Sequence, residues 1–267
     1  MHGRSDASLA GSQADRREVW PGALLTSPVL ASVAPWAARL ARFPRFPAVS
    51  ELDATLRDRL AIEPGVALEP QVKTRRRRGP VDRDALYEVR IHVHRRVPTR
   101  ERSWHDLTNA LVWAAFPRSK RALTARQLAI LDAVLPRDAA RLPSARTREQ
   151  DALAMLDEGG IVVLVTHAHH GDATRAHEGG DEDALRQLRD GGHAAPLVFG
   201  HAMMEHALEG TLDVRGYGVV LGVDALPETL EARVDLADRV LAAWIARTDE
   251  LLRPSPWRGL SLAGVVA

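Results

Sequence analysis

The chain has 267 residues, 45% of them hydrophobic, enough for one sizeable core or two small ones. Its 36 Lys and Arg nearly balance 35 Asp and Glu, so no global charge draws a polyanionic partner. The absence of cysteine excludes disulfides, thiolate catalysis, zinc knuckles and iron–sulfur clusters, and leaves His, Asp and Glu to hold any metal.

Residues 1–18 are small, polar and charged without periodicity, and read as a disordered tail. Arg16-Arg17 precede an apolar stretch from Val19 to Ala41, but Pro21, Pro28 and Pro35 break it, so neither an export signal nor a membrane helix is expected. No other stretch approaches the roughly 20 apolar residues of a spanning helix. A cytoplasmic protein without membrane contact is the expectation. One globular domain is expected over 19–255, with a C-terminal tail over 256–267.

The elements follow in chain order. A short helix is expected near 36–42 and another over 49–60, capped by Ser50 with Asp53 three residues on. The run Lys73–Arg78, "KTRRRR", reads as a solvated loop before Gly79-Pro80. Nucleic-acid binding through Arg75–Arg78 is not expected, because no aromatics are interleaved. "YEVRIHVHRRV", 87–97, alternates apolar and polar residues, which predicts a half-buried strand with His92 and His94 facing water.

Helices are predicted over 104–116, 124–134 and 147–158, the last stopped by Gly159-Gly160. Ile161–Val165 is a short apolar run and predicts a buried strand. Residues 166–180 read as a His/Gly/Asp-rich loop. Helices over 181–190 and 196–208, a strand in "GYGVVLGV" (216–223) and a long helix over 227–252 complete the chain. No internal repeat is present. The fold expected is α+β and helix-dominated, one compact domain with a few short strands.

Several polar residues lie on apolar helix faces. In "WHDLTNALVWAAFP", Ser103 and Asp106 have the spacing of a capping box, while His105 and Asn109 continue the stripe of Val112, Trp113 and Phe116. Polar groups at the mouth of a buried stripe need partners, so His105 and Asn109 are either a satisfied core pair or part of a site. His201 and Glu205, four apart in "GHAMMEHAL", can chelate one ion. Asp151 lies on a buried-looking face and pairs with Arg148 or serves as a catalytic carboxylate. Asp157 and Glu158, next to the glycine stop, read as a solvated helix end. His167, His169, His170 and His177 suit nonspecific transition-metal binding; the metal-loop spacing of metallo-β-lactamases is out of register there and lacks its closing His. There is no phosphate loop, dinucleotide fingerprint or nucleophile elbow.

Taken together, Trp104, His105, Asp106, Asn109, Leu111, Val112, Trp113, Phe116, Pro117 and Lys120, with Arg102 in a shifted position, resemble the core pattern of the bacterial family catalogued as domain of unknown function 3025. Asp151, Asp157, Glu158, Gly200, His201 and Glu205 match its later blocks. The resemblance covers roughly 28–210. It implies no reaction, but it implies that His105, Asp106, Asn109, Asp151, His201 and Glu205 recur together.

Two readings follow. The first is a metal-dependent hydrolase acting on a small molecule or phosphoester. His105, Asp106, Asn109 and Asp151 then supply catalytic groups, and His201, Glu205 and His105 hold a divalent metal ion with an open position. The second is a non-catalytic binding or interaction module whose polar pairs are structural. The first requires the segments to converge on a cavity, with His105 and His201 within about 12 Å of each other.

Overall fold

The computed structural model describes residues 20, 28–71, 81–136, 139, 145–210, 214–247, 249, 251 and 259–261. The predicted tail at 1–18 and the basic run Lys73–Arg78 lie outside these residues. In chain order the elements are α1 (Ala34–Ala37), α2 (Val49–Leu60), β1 (Ala67–Pro70), α3 (Tyr87–His92), β2 (Arg96–Thr99), α4 (Trp104–Ala115), α5 (Pro117–Val134), α6 (Arg148–Gly159), β3 (Gly160–Thr166), α7 (His170–Gly179), α8 (Glu182–Asp190), β4 (Ala194–Val198), α9 (His201–Leu208), β5 (Arg215–Val223), α10 (Leu230–Arg247) and β6 (Gly259–Ser261). The architecture is α+β and helix-dominated. Strands β1 and β2 form a parallel pair, and the others a sheet in the order β4-β3-β5-β6. In that sheet β3 runs parallel to β5, with Val163 opposite Val220, and antiparallel to β4.

The core centres on α4. Of its twelve residues only His105 escapes full burial, so the helix is enclosed on all sides. Ser103 caps it by accepting from the Asp106 N–H at 3.3 Å. Phe116, at its end, packs edge-on against Phe199 with ring centroids 5.4 Å apart. Pro117 starts α5 at the position where a missing N–H costs nothing. A carboxylate from elsewhere completes that cap: fully buried Asp238 of α10 accepts from the backbone N–H groups of Ser119 at 2.7 Å and Arg118 at 3.1 Å.

Four local expectations are corrected. The predicted strand at 87–97 is helix α3 followed by the short strand β2. Val89 joins Leu128, Leu131 and Leu135, whereas Ile91 enters the main core, so both flanks are covered and alternation mimics a strand. Arg95 adopts a left-handed conformation (φ 59°) and turns the chain into β2. The predicted loop at 166–180 is a short 3-10 turn and α7, and the predicted helix at 196–208 divides into β4 and α9. Pro196 is tolerated because β4 is an edge strand. Helix α2 is capped at Ala48 instead of Ser50, and Glu51 accepts from the Ala48 N–H at 2.7 Å. The remaining predicted elements are present with shifted ends: α5 begins at Pro117 instead of 124, and α10 spans 230–247 instead of 227–252.

Candidate functional site

Three glycines place the site. Gly159 and Gly160 end α6 and begin β3, and Gly200 precedes α9. The Phe199 and Gly200 N–H groups both donate to the Gly160 carbonyl at 2.9 Å. A Cβ on Gly200 would lie 2.5 Å from Gly159 Cα and Gly160 N, so the two segments meet at backbone distance. That contact brings Glu158, the last side chain of α6, beside His201, the first residue of α9.

His105 of α4 completes the junction. Its Nε2 lies 3.2 Å from His201 Nε2, and Glu158 Oε2 lies 3.5 Å from the same His201 nitrogen. The far nitrogens are occupied. His105 Nδ1 pairs with Glu205 Oε2 at 3.0 Å, and His201 Nδ1 lies 2.8 Å from the Asp157 carbonyl, to which it donates. Glu205, one turn beyond His201 on α9, thus shares its face as predicted, but it meets His105 from behind. Among the described residues, His105, Glu158 and His201 form the one group of three His, Asp or Glu with ligand atoms all within 4.8 Å of one another.

A buried relay lies beside them. Lys120 of α5, 2% exposed, donates from Nζ to Asp157 Oδ1 at 2.5 Å and to Asn109 Oδ1 at 2.8 Å. Asn109 Nδ2 in turn lies 3.3 Å from the Tyr87 hydroxyl. Asp106 accepts from the Arg100 N–H at 2.5 Å and from its guanidinium at 2.7 Å. It therefore ties the turn before α4 to the helix. Tyr87, Arg100, His105, Asn109, Glu158 and His201 all border a cavity of about 250 Å³. This is just below the roughly 300–1,000 Å³ of small-molecule pockets, so it fits a small ligand or the reacting end of a larger one.

The electrostatics separate the two histidines. Burial pushes the His201 pKa down to about 4, so its imidazole is neutral. The hydrogen bond to Glu205 raises that of His105, against the effect of burial. Burial likewise pushes the Glu158 carboxyl up. For Asp157 burial acts in the same direction, but the Lys120 ammonium bonded to it outweighs burial and holds the carboxyl below its ordinary value.

Of the residues singled out in the sequence, His105, Asp106, Asn109, His201 and Glu205 therefore converge. Asp151 does not: it is exposed on α6, outside the cavity lining, and the pair with Arg148 is not among the ion pairs of the described residues. The His167–His177 residues assemble no ligand group by the same measure. Glu158, Asp157, Lys120 and Tyr87 were missed as site residues. Two carboxylates before a glycine stop look like a solvated helix end, and only a glycine far along the chain reveals what packs there.

A family model described as protein of unknown function (DUF3025) matches residues 75–267. The match starts later than the expected 28 and runs past 210, so it takes in the C-terminal helix. No curated protein and no solved structure matches the chain. With most of its length matched, and with α4, α6 and α9 inside the match, the chain belongs to the DUF3025 family of proteins of unknown function.

Proposed function

We propose that this protein is a metal-dependent, hydrolase-like enzyme whose divalent ion is held by His105 Nε2, His201 Nε2 and the Glu158 carboxylate. The observation that carries this reading is the pair of facing imidazoles, each with its other nitrogen engaged. Metal-binding histidines are oriented in this way, by a carboxylate or a backbone carbonyl on the far nitrogen. The spacings also fit. Metal–nitrogen bonds of about 2.0–2.1 Å in a tetrahedron put neighbouring ligand atoms about 3.3 Å apart, against 3.2 and 3.5 Å for the two spacings to His201 Nε2, with all three ligand atoms within 4.8 Å of one another. Asp106 pairs with Arg100 and Asp157 with Lys120, which leaves Glu158 and Glu205 as the carboxylates beside the two histidines.

Two histidines and a carboxylate suit zinc or ferrous iron and leave coordination positions open. A bound ion supplies a Lewis acid and an acidified water. The chain's own groups do the rest: Glu205 and the Asp157 carbonyl fix the imidazoles, Asp106 fixes the entry to α4, and the cavity admits a small substrate.

The test is metal content by mass spectrometry on the untagged protein, for His105→Ala, His201→Ala and Glu158→Gln, beside a control with His167, His169 and His170 replaced by Ala. Near one zinc or iron per chain, lost in the first three and kept in the control, is the expected result. Metal lost only with the loop histidines, or absent throughout, refutes the reading.

One observation favours a second reading, a structural network without an ion. His105, with its proton affinity raised by Glu205, can donate from Nε2 to neutral His201 and close a chain from Glu205 to the Asp157 carbonyl. That network predicts no bound metal, and a loss of thermal stability in the His105 and His201 variants.

A further inference from the structure

The relay beside the histidines has a fixed direction. A lysine ammonium donates hydrogen bonds and cannot accept them. Asn109 must therefore turn its Oδ1 to Lys120, which leaves Nδ2 facing the Tyr87 oxygen at 3.3 Å. The amide nitrogen is also only a donor, so the phenol oxygen is the acceptor. The indole N–H of Trp113, fully buried and without a partner at hydrogen-bond distance, acts on the same phenol electrostatically. A phenol has one hydrogen. Its oxygen already accepts, so that hydrogen points away from Asn109. Among the described residues, the Asn109 amide is the hydrogen-bond partner of the hydroxyl and no acceptor takes its hydrogen. Tyr87 as a residue is 40% exposed, its phenol is surrounded by protein, and it lines the cavity together with Asn109, to which its hydroxyl is bonded. Burial keeps the phenol neutral, so the hydrogen is present at physiological pH. Donation from the Lys120 ammonium through the Asn109 amide polarises the O–H further.

We infer that Tyr87 presents its hydroxyl hydrogen to the cavity and selects a ligand carrying an oxygen acceptor, a carbonyl or phosphoryl oxygen. This rests on the reading of the cavity as a ligand site, in which a metal ion held by His105, His201 and Glu158 would supply a Lewis acid and Tyr87 a hydrogen-bond donor lining the same cavity. Tyr87 is then a specificity residue, and it stabilises charge that develops on that oxygen.

The chain contains two tyrosines, Tyr87 and Tyr217. Carbon-13 at the tyrosine Cζ therefore gives two NMR signals, assigned with Tyr87→Phe. The full-length untagged protein is titrated with acetohydroxamic acid and with inorganic phosphate, zinc-loaded and zinc-free, alongside calorimetry. The expected result is movement of the Tyr87 signal alone, and binding weakened about tenfold in Tyr87→Phe while zinc affinity is unchanged. Zinc and probe bound by Tyr87→Phe as tightly as by the parent overturn the Tyr87 assignment and leave the metal reading standing. No zinc uptake, with phosphate still moving the Tyr87 signal and weakened by Tyr87→Phe, supports Tyr87 and sinks the metal reading. No zinc and no response to either probe overturns both.

Discussion

His105 and His201 face each other because the other nitrogen of each is held: by Glu205 for one, by the Asp157 carbonyl for the other. The two glutamates therefore differ in kind, although both lie beside the same histidines. Glu205→Gln is expected to weaken zinc binding about 10- to 100-fold, the usual effect of losing an orienting partner. Glu158→Gln, which removes a ligand, should cost more. Competition with a chromogenic chelator measures both, and equal losses would contradict the assignment. Lys120 makes a separate prediction. Replacing it by Met leaves Asp157 without its partner in a largely buried position, at an expected cost of about 3–5 kcal/mol in urea unfolding. Lys120→Met with Asp157→Asn should recover much of that loss. At this scale the sequence was informative where periodicity reaches. The i, i+4 spacings of His105 with Asn109 and of His201 with Glu205 put each pair on one helix face. Periodicity does not say which end of an imidazole meets which carboxylate, so the division between Glu158 and Glu205 was not legible.

The site depends on how α6, β3 and α9 meet. Gly200→Ala puts a methyl group 2.5 Å from two backbone atoms that cannot yield as a side chain does. We expect α9 to move away from Glu158 and metal affinity to fall at least tenfold; an unchanged affinity would show that the glycine contact does not set the site. Asp238 governs a different junction. Asp238→Ala strips the buried cap from α5 and should cost about 2 kcal/mol at neutral pH. Burial raises the Asp238 pKa above the ordinary 3.8, so the folded protein holds this proton more tightly than the unfolded chain. The stability it confers is then greatest below about pH 3.8 and declines as pH rises through the folded pKa. The cost of Asp238→Ala should accordingly be larger at pH 4 than at pH 7. Elements with strong local signals were readable: α4 with its Ser103 cap, α6 with Thr147 and Gln150 bonding reciprocally, and the apolar run of β3. Helix α3 was not, because Val89 and Ile91 are buried against different clusters. Neither was α9 as a separate element, because Gly200 marks a close approach that only tertiary structure reveals.

Across the whole molecule, α4 is the buried axis on which distant segments converge: His105 meets residues about a hundred positions away on α9. Among the described residues no helix is long and apolar enough to cross a membrane. Ion binding at such a convergence point should stabilise the entire fold. With free zinc at 100 times its dissociation constant the gain is about 2.7 kcal/mol, which raises the melting midpoint roughly 5–10 °C, and chelation should reverse it. The helix-dominated α+β class was legible from composition and periodicity, and the convergence of "WHDLTN" with "GHAMMEHAL" was anticipated as a condition for a site. The direction of the Lys120–Asn109–Tyr87 relay was not legible, since it joins residues from three helices. The most direct measurement is anomalous diffraction at the zinc edge from crystals of the zinc-loaded, untagged protein. The account predicts one strong peak bounded by His105 Nε2, His201 Nε2 and Glu158. A peak at His167–His170 instead, or none, would contradict it.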